Sequence, residues 1–155
     1  MKGVVVGLLI AGLVLSCAVD NGAQRRRDIE RNDKMNEVTQ LWTQIRAWRA
    51  ELGMDLDPSS SMLLEFRNKS VKDAQKVCPE NQKIPKPCED TCRLSEAICE
   101  NAESICKIAD ELGKQDRAQE KCTSAKASCR EAKQRCCKCI TKPQVDEPAP
   151  APVTP

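Results

Sequence analysis

Histidine is absent from this 155-residue chain, and only three aromatic residues occur: Trp42, Trp48 and Phe66. Without histidine there can be no Ser–His–Asp or Cys–His catalytic pair, no histidine-ligated zinc and no C-x-x-C-H haem attachment. A net charge of +2 gives no argument for nucleic-acid binding. The apolar core must be thin, and eleven cysteines can supply covalent support. We therefore expect a small cross-linked protein that is not an enzyme and holds no cofactor.

Residues 1–16 have the features of a secretory signal peptide. A charged start, Met1-Lys2, precedes an apolar run from Val4 to Leu15 that is short for a bilayer span. The run ends in Val14-Leu15-Ser16-Cys17, which resembles the bacterial lipobox of Leu, a small residue, Gly or Ala, then Cys. Val14 and Leu15 depart from that form. The resemblance implies cleavage before Cys17 and lipid attachment to it; an ordinary secretory signal and an uncleaved anchor are the alternatives.

The number of cysteines supports lipid attachment. Eleven is odd, and removing Cys17 leaves ten that can pair completely. Multiple acyl chains on Cys17 would anchor the protein to a membrane. Residues 17–27 then form the lipidated cysteine and a polar tether, whose three arginines at 25–27 can lie near anionic head groups; a solvated helical turn is the alternative. In some bacteria, an Asp directly after the lipidated cysteine retains lipoproteins at the inner membrane. Ala18 occupies that position here, so by analogy we expect the protein in the cell envelope, at the outer membrane.

Four helices are predicted within a helical domain of residues 28–142, over about 28–52, 58–77, 88–112 and 116–139. The first carries a heptad seam (Val38, Leu41, Ile45, Trp48 and Leu52). Gly53 and Gly113 each follow Glu-Leu and are predicted helix stops. We expect Asp57-Pro58 to start the second helix and Gln119 to complete a capping box in the fourth. Residues 143–155 contain five prolines, which predicts a disordered tail.

The cysteines of the last two predicted helices follow one arithmetic rule. Cys92, Cys99 and Cys106 are seven residues apart, as are Cys122, Cys129 and Cys136, so each set keeps one helix face. Paired from the outside in, the residue numbers always add to 228. This constant sum predicts an antiparallel hairpin with disulfides Cys92–Cys136, Cys99–Cys129 and Cys106–Cys122. Small residues alternate with the cysteines and would allow close approach (Ser95, Ala102, Ala109, Ala118, Ala125 and Ala132).

Four further cysteines are less constrained. Cys139 with Cys88 nearly satisfies the same sum, which pairs them and leaves Cys78 for Cys137. An exchange of partners among these four stays open. The acidic predicted helix before Gly113 and the basic one after it favour the same antiparallel arrangement. The fold class is thus all-α: a disulfide-laddered hairpin plus two further helices in a small four-helix assembly.

A stripe of large apolar residues lies beside the cysteine face of the third predicted helix: Leu94, Ile98, Ile105, Ile108 and Leu112. We expect the first two helices to cover it. The alternative is an exposed surface for a partner protein.

The spacing C-x6-C-x6-C, present twice and ending in CCKC, resembles uncharacterised cysteine-rich lipoproteins of myxobacterium-like bacteria over about a third of the chain. That family carries no activity to transfer. We expect a membrane-anchored structural or interaction module of the cell envelope, bound to the membrane through its lipid, with an unidentified envelope protein as a possible partner. The alternative is thiolate sequestration of Cu(I) or zinc, although only Cys88 and Cys92 have the C-x3-C spacing of helical copper stores. A thiol oxidoreductase using Cys136-Cys137 lacks the expected βαβ pattern.

Overall fold

The computed structural model describes residues 4–79, 82–113 and 115–142, with side chains from residue 22 onward. Five α-helices follow one another: α1 (Val4–Glu51), α2 (Ser60–Phe66), α3 (Val71–Gln75), α4 (Glu89–Glu111) and α5 (Asp116–Thr141), with a 3₁₀ turn at Lys86–Cys88 before α4. No strand occurs in the described ranges, and the all-α prediction is confirmed. The predicted tail at 143–155 and the side chain of Cys17 lie outside what is described.

The chain divides into two compact units, residues 1–37 and 38–155. In the first, α1 is exposed along residues 22–33. Contacts along the helix surface support this stretch: Gln24 bonds with Asp28 and Arg27, and Glu30 pairs with Lys34 at 3.1 Å. Such pairs three or four residues apart each add only about 0.2–0.5 kcal/mol to a helix.

The second unit is built on the predicted hairpin of α4 and α5, which is confirmed. The small residues predicted between the cysteines are all fully buried, from Ser95 on α4 to Ala132 on α5. Helices α2 and α3 pack mainly on α5. Glycines with positive φ end the long helices, Gly53 at 63° and Gly113 at 69°, in agreement with the two predicted helix stops.

The single helix predicted over 58–77 is instead two short helices. Ser70 begins α3 with a capping box: its hydroxyl accepts from the Asp73 backbone N–H, and the Asp73 carboxylate accepts from the Ser70 N–H. The spacing Ser70-x-x-Asp73 is the signal that predicts this break. The start of α2 also differs, because Ser59 is its N-cap and Asp57 pairs with Arg46.

The predicted capping box at Gln119 is wrong. Helix α5 begins after Gln115 without a side-chain cap. The amide of Gln119 instead donates to the carbonyls of Ala109 and Gly113, at 3.0 and 3.2 Å. Gln119 therefore satisfies acceptors at the end of α4, where terminal carbonyls have no partner inside their own helix.

The buried face of α1 differs from the predicted seam at two of its five positions, each displaced by one residue along the chain. Val38, Ile45 and Leu52 are buried as expected, but Trp42 and Arg49 take the positions predicted for Leu41 and Trp48. Leu41 and Trp48 are half-buried at the edge. Sequence periodicity favours the apolar Trp48, whereas the fold buries Arg49 because polar partners surround its guanidinium.

The apolar stripe of α4 is covered along most of its length. Ile98 and Ile105 are fully buried, Ile108 is nearly so, and Leu94 and Leu112 are half-buried. The amide of Asn101 donates to the Leu41 carbonyl and to Gln44, which fixes α4 beside α1 within the second unit. The stripe is thus part of the core, as expected.

Candidate functional site: the cross-linked hairpin

Five disulfides connect ten cysteines: the three pairs predicted by the constant sum, and the two pairs, Cys88–Cys139 and Cys78–Cys137, for which an exchange of partners was open. Three cross the hairpin at seven-residue steps: Cys92–Cys136, Cys99–Cys129 and Cys106–Cys122. Seven residues of helix rise about 10 Å, so the bridges recur at that interval. We call these three bridges the disulfide ladder.

The disulfide ladder brings facing backbone positions of α4 and α5 close together. Its Cα–Cα distances are 4.6, 4.6 and 4.7 Å, near the short end of the range for disulfides. With Cα atoms about 2.3 Å from each axis, the axes lie roughly 9 Å apart. This separation leaves little room between bridges, which explains why only alanine and serine occupy the seam.

Two further disulfides close the open end of the hairpin. Cys88–Cys139 joins the start of α4 to the end of α5, and its neighbours Cys92, Cys136 and Ile140 pack against it. Cys78–Cys137 ties the segment after α3 to α5, with Cα atoms 5.5 Å apart. The hairpin, α3 and the 3₁₀ turn are thus cross-linked at one end.

Arg49 is a buried cation that the apolar seam does not predict. It is 1% exposed. Its guanidinium donates to the Asp55 carbonyl at 2.8 Å, to Ser128 Oγ at 3.1 Å and to the Glu131 carboxylate at 2.6 Å. The ion pair fixes the end of α1 and the following loop against α5. The buried charge is tolerated because the guanidinium is paired with a carboxylate and hydrogen-bonded to two further acceptors.

Lys126 is a second buried cation on α5. Its ammonium donates to the carbonyls of Arg67 and Lys69, at 3.2 and 2.8 Å. These carbonyls lie in the turn between α2 and α3. Lys126 therefore supplies the hydrogen bonds that backbone N–H groups would donate if the helix continued. Burial lowers the pKa of Lys126, and the nearby Asp110 carboxylate opposes that shift.

Charges on the surface of α2 and α3 are locally paired. The hydrogen bond from Lys69 lowers the pKa of the Glu65 carboxyl. The hydroxyl and backbone N–H of Ser70 lower the pKa of Asp73. Both carboxylates are exposed, so these pairs position the two short helices without a large stability effect.

The predicted attraction between acidic α4 and basic α5 is represented by one cross-hairpin ion pair among the described residues, Lys133 with Glu96. Three other α5 cations instead contact Trp42 of α1 and backbone carbonyls next to α2 and α3. Within the described ranges, no cluster of three or more cysteine, aspartate or glutamate side chains is arranged to hold a metal ion. Among residues with described side chains, no helix is both long and apolar enough to cross a bilayer.

The fold and its cross-links define a disulfide-laddered helical hairpin with three covering helices. Comparisons with known protein families, with curated proteins and with solved structures find no match.

Proposed function

We propose that this protein is a lipid-anchored structural or interaction module of the bacterial cell envelope, attached through Cys17 and located at the outer membrane. The observation that carries the proposal is the pairing of the cysteines. The ten cysteines from Cys78 to Cys139 pair among themselves, so the chain has no other cysteine to pair with Cys17. Together with the preceding apolar run and Ser16, this supports a lipid-bearing residue at position 17.

The disulfides support a location outside the cytosol. Five bridges within about 60 residues are typical of oxidising compartments, where small domains with thin cores depend on cross-links. Sequestration of Cu(I) or zinc would require free thiolates, whereas disulfide sulfurs are poor ligands. The cross-linked hairpin therefore serves as a rigid body held at the membrane, without an enzymatic role.

The test is incorporation of an alkyne-tagged fatty acid in a Gram-negative host. We expect the wild-type chain to be labelled and to fractionate with outer membranes, and Cys17→Ser to lose both properties. The matched control is the double variant Cys78→Ser and Cys137→Ser, which also removes cysteines but keeps the proposed lipid site. It should be labelled like the wild type.

Two results would contradict the proposal: an unlabelled wild-type chain, or equal labelling of Cys17→Ser. Mass spectrometry of the N-terminal peptide separates the remaining possibilities, because a lipoprotein begins at an acylated Cys17, an ordinary secreted protein begins at an unmodified residue nearby, and an uncleaved anchor retains Met1.

A further inference from the structure

Beyond Arg117 in its first turn, the basic side chains of α5 and its C-cap fall into two groups. Those in the middle of the helix contact partners within the fold: an indole ring, backbone carbonyls near α2 and α3, and Glu96. These side chains are Lys121, Lys126, Arg130 and Lys133. They are committed to holding the covering helices and the hairpin together.

The second group lies in the last two turns of α5 and at the C-cap residue that follows them. Arg135, Lys138 and Lys142 follow one another at steps of three and four residues, so they share one helix face, and all three are exposed. We call them the basic stripe. None of them forms an ion pair with a residue that the structure describes. Arg135 donates to the Gly53 carbonyl at 2.8 Å, which holds its guanidinium in place without neutralising it.

A cleft of about 600 Å³ runs beside the basic stripe. Apolar side chains of Leu52, Pro87 and Leu94, together with Cys139, contribute to its lining. Two carboxylates, Glu51 and Asp90, also line it, and Asp90 is paired with Arg93 at 2.9 Å.

A smaller cleft of about 220 Å³ shares Arg135 and Lys138 with the first. Of its three carboxylates, Asp57 is paired with Arg46 and Glu131 with Arg49, which leaves Asp55. With Glu51 from the larger cleft, two carboxylates face three cations. Among the groups without an ion pair, the surface therefore has one excess positive charge, and Leu52, Pro87 and Leu94 form its apolar floor.

We propose that the basic stripe and this floor bind an acidic peptide segment of a partner protein. Carboxylates of the segment pair with the basic stripe, and its apolar side chains lie on Leu52, Pro87 and Leu94. The stripe spans about 10 Å, the length of about three residues of extended chain, so acidic positions about three apart fit it. An acyl chain fits less well, because it would desolvate Glu51 and the hydroxyl of Thr91 in the same cleft. The inference does not depend on lipid at Cys17.

The test uses the purified, oxidised full chain in detergent and a fluorescein-labelled synthetic peptide of valine, alanine and proline with glutamate at every third position. Anisotropy at low salt measures binding. We expect the double variant Lys138→Gln and Lys142→Gln to bind at least tenfold more weakly than the wild type. Binding should also weaken as salt is added, since exposed charge pairs are screened. Both variant positions leave the Arg135–Gly53 contact intact.

The matched control removes two charges elsewhere, with Lys72→Gln and Lys107→Gln at exposed positions of α3 and α4. It should bind like the wild type. Circular dichroism and the unfolding midpoint show whether a weaker binder is still folded. No binding by the wild type, equal loss in the control variant, or equal binding of a glutamine version of the peptide would each overturn the proposal. Stripe-dependent binding to anionic vesicles in place of the peptide would overturn it in favour of a lipid surface.

Discussion

Replacing Arg49 with methionine removes a buried guanidinium while keeping an unbranched side chain. The native side chain is 1% exposed and bonds to Asp55, Ser128 and Glu131. In the variant, Glu131 keeps its charge but loses its partner, with only 20% of its side chain exposed. Breaking such a pair costs about 3–5 kcal/mol, and the partial exposure of Glu131 places the expected loss near 3 kcal/mol.

Guanidinium chloride titration followed by tryptophan fluorescence measures this loss directly. Both tryptophans lie on α1, and Trp42 is 5% exposed, so its emission reports the release of α1 from the core. A loss of about 3 kcal/mol lowers the midpoint by roughly 1 M. The double variant Arg49→Met and Glu131→Leu should recover most of it, because an apolar pair of similar size replaces the ion pair.

Arg46→Met is the matched control on the same helix. Arg46 pairs with Asp57 at 3.5 Å, but the two side chains are 42% and 64% exposed. Exposed pairs contribute about 0–1 kcal/mol, so the midpoint should barely move. If Arg49→Met is no more destabilising than Arg46→Met, the conclusion that the Arg49–Glu131 ion pair fixes the end of α1 against α5 is wrong.

Three further predictions follow from individual residues. The pKa of Lys126 is lower in the folded protein, so between that pKa and 10.5 the unfolded chain binds more protons than the folded one. The free energy of unfolding should therefore rise with pH over this window. Lys126→Met should remove that rise in denaturation curves recorded at alkaline pH. Gly113→Ala should cost about 1 kcal/mol through backbone strain alone, because φ is 69° and no atom lies within 4 Å of an added Cβ; urea titration measures it, and no loss would contradict the left-handed stop. Removing Cys78–Cys137 by a double serine variant should cost up to about 3 kcal/mol and speed hydrogen exchange in α3, whereas equal acceleration in α4 would show that this bridge supports the whole hairpin.

The hairpin could be predicted from sequence because covalent geometry leaves few choices. When cysteines face one another across antiparallel helices, the two residue numbers of every facing pair add to the same value. Three independent pairs meet that condition. The glycine stops were equally accessible, since Gly53 and Gly113 have the backbone angle that other residues avoid.

The contacts around the hairpin were harder to predict because they depend on polar partners that are distant in sequence. Arg49 is buried through Ser128 and Glu131, about 80 residues away, and hydrophobic periodicity cannot detect such partners. Gln119 fits a capping-box pattern, yet it bonds to carbonyls of the preceding helix. The break between α2 and α3 was within reach, because Ser70 and Asp73 have capping-box spacing.

Peptide mapping of the unreduced protein tests the central claim most directly. After digestion without reductant and with free thiols blocked at acidic pH, mass spectrometry should find Cys99 joined to Cys129, with Cys92 joined to Cys136 and Cys106 to Cys122. Cys99 linked to any other cysteine, or recovered as a blocked thiol, would contradict the account of two helices cross-linked at facing positions.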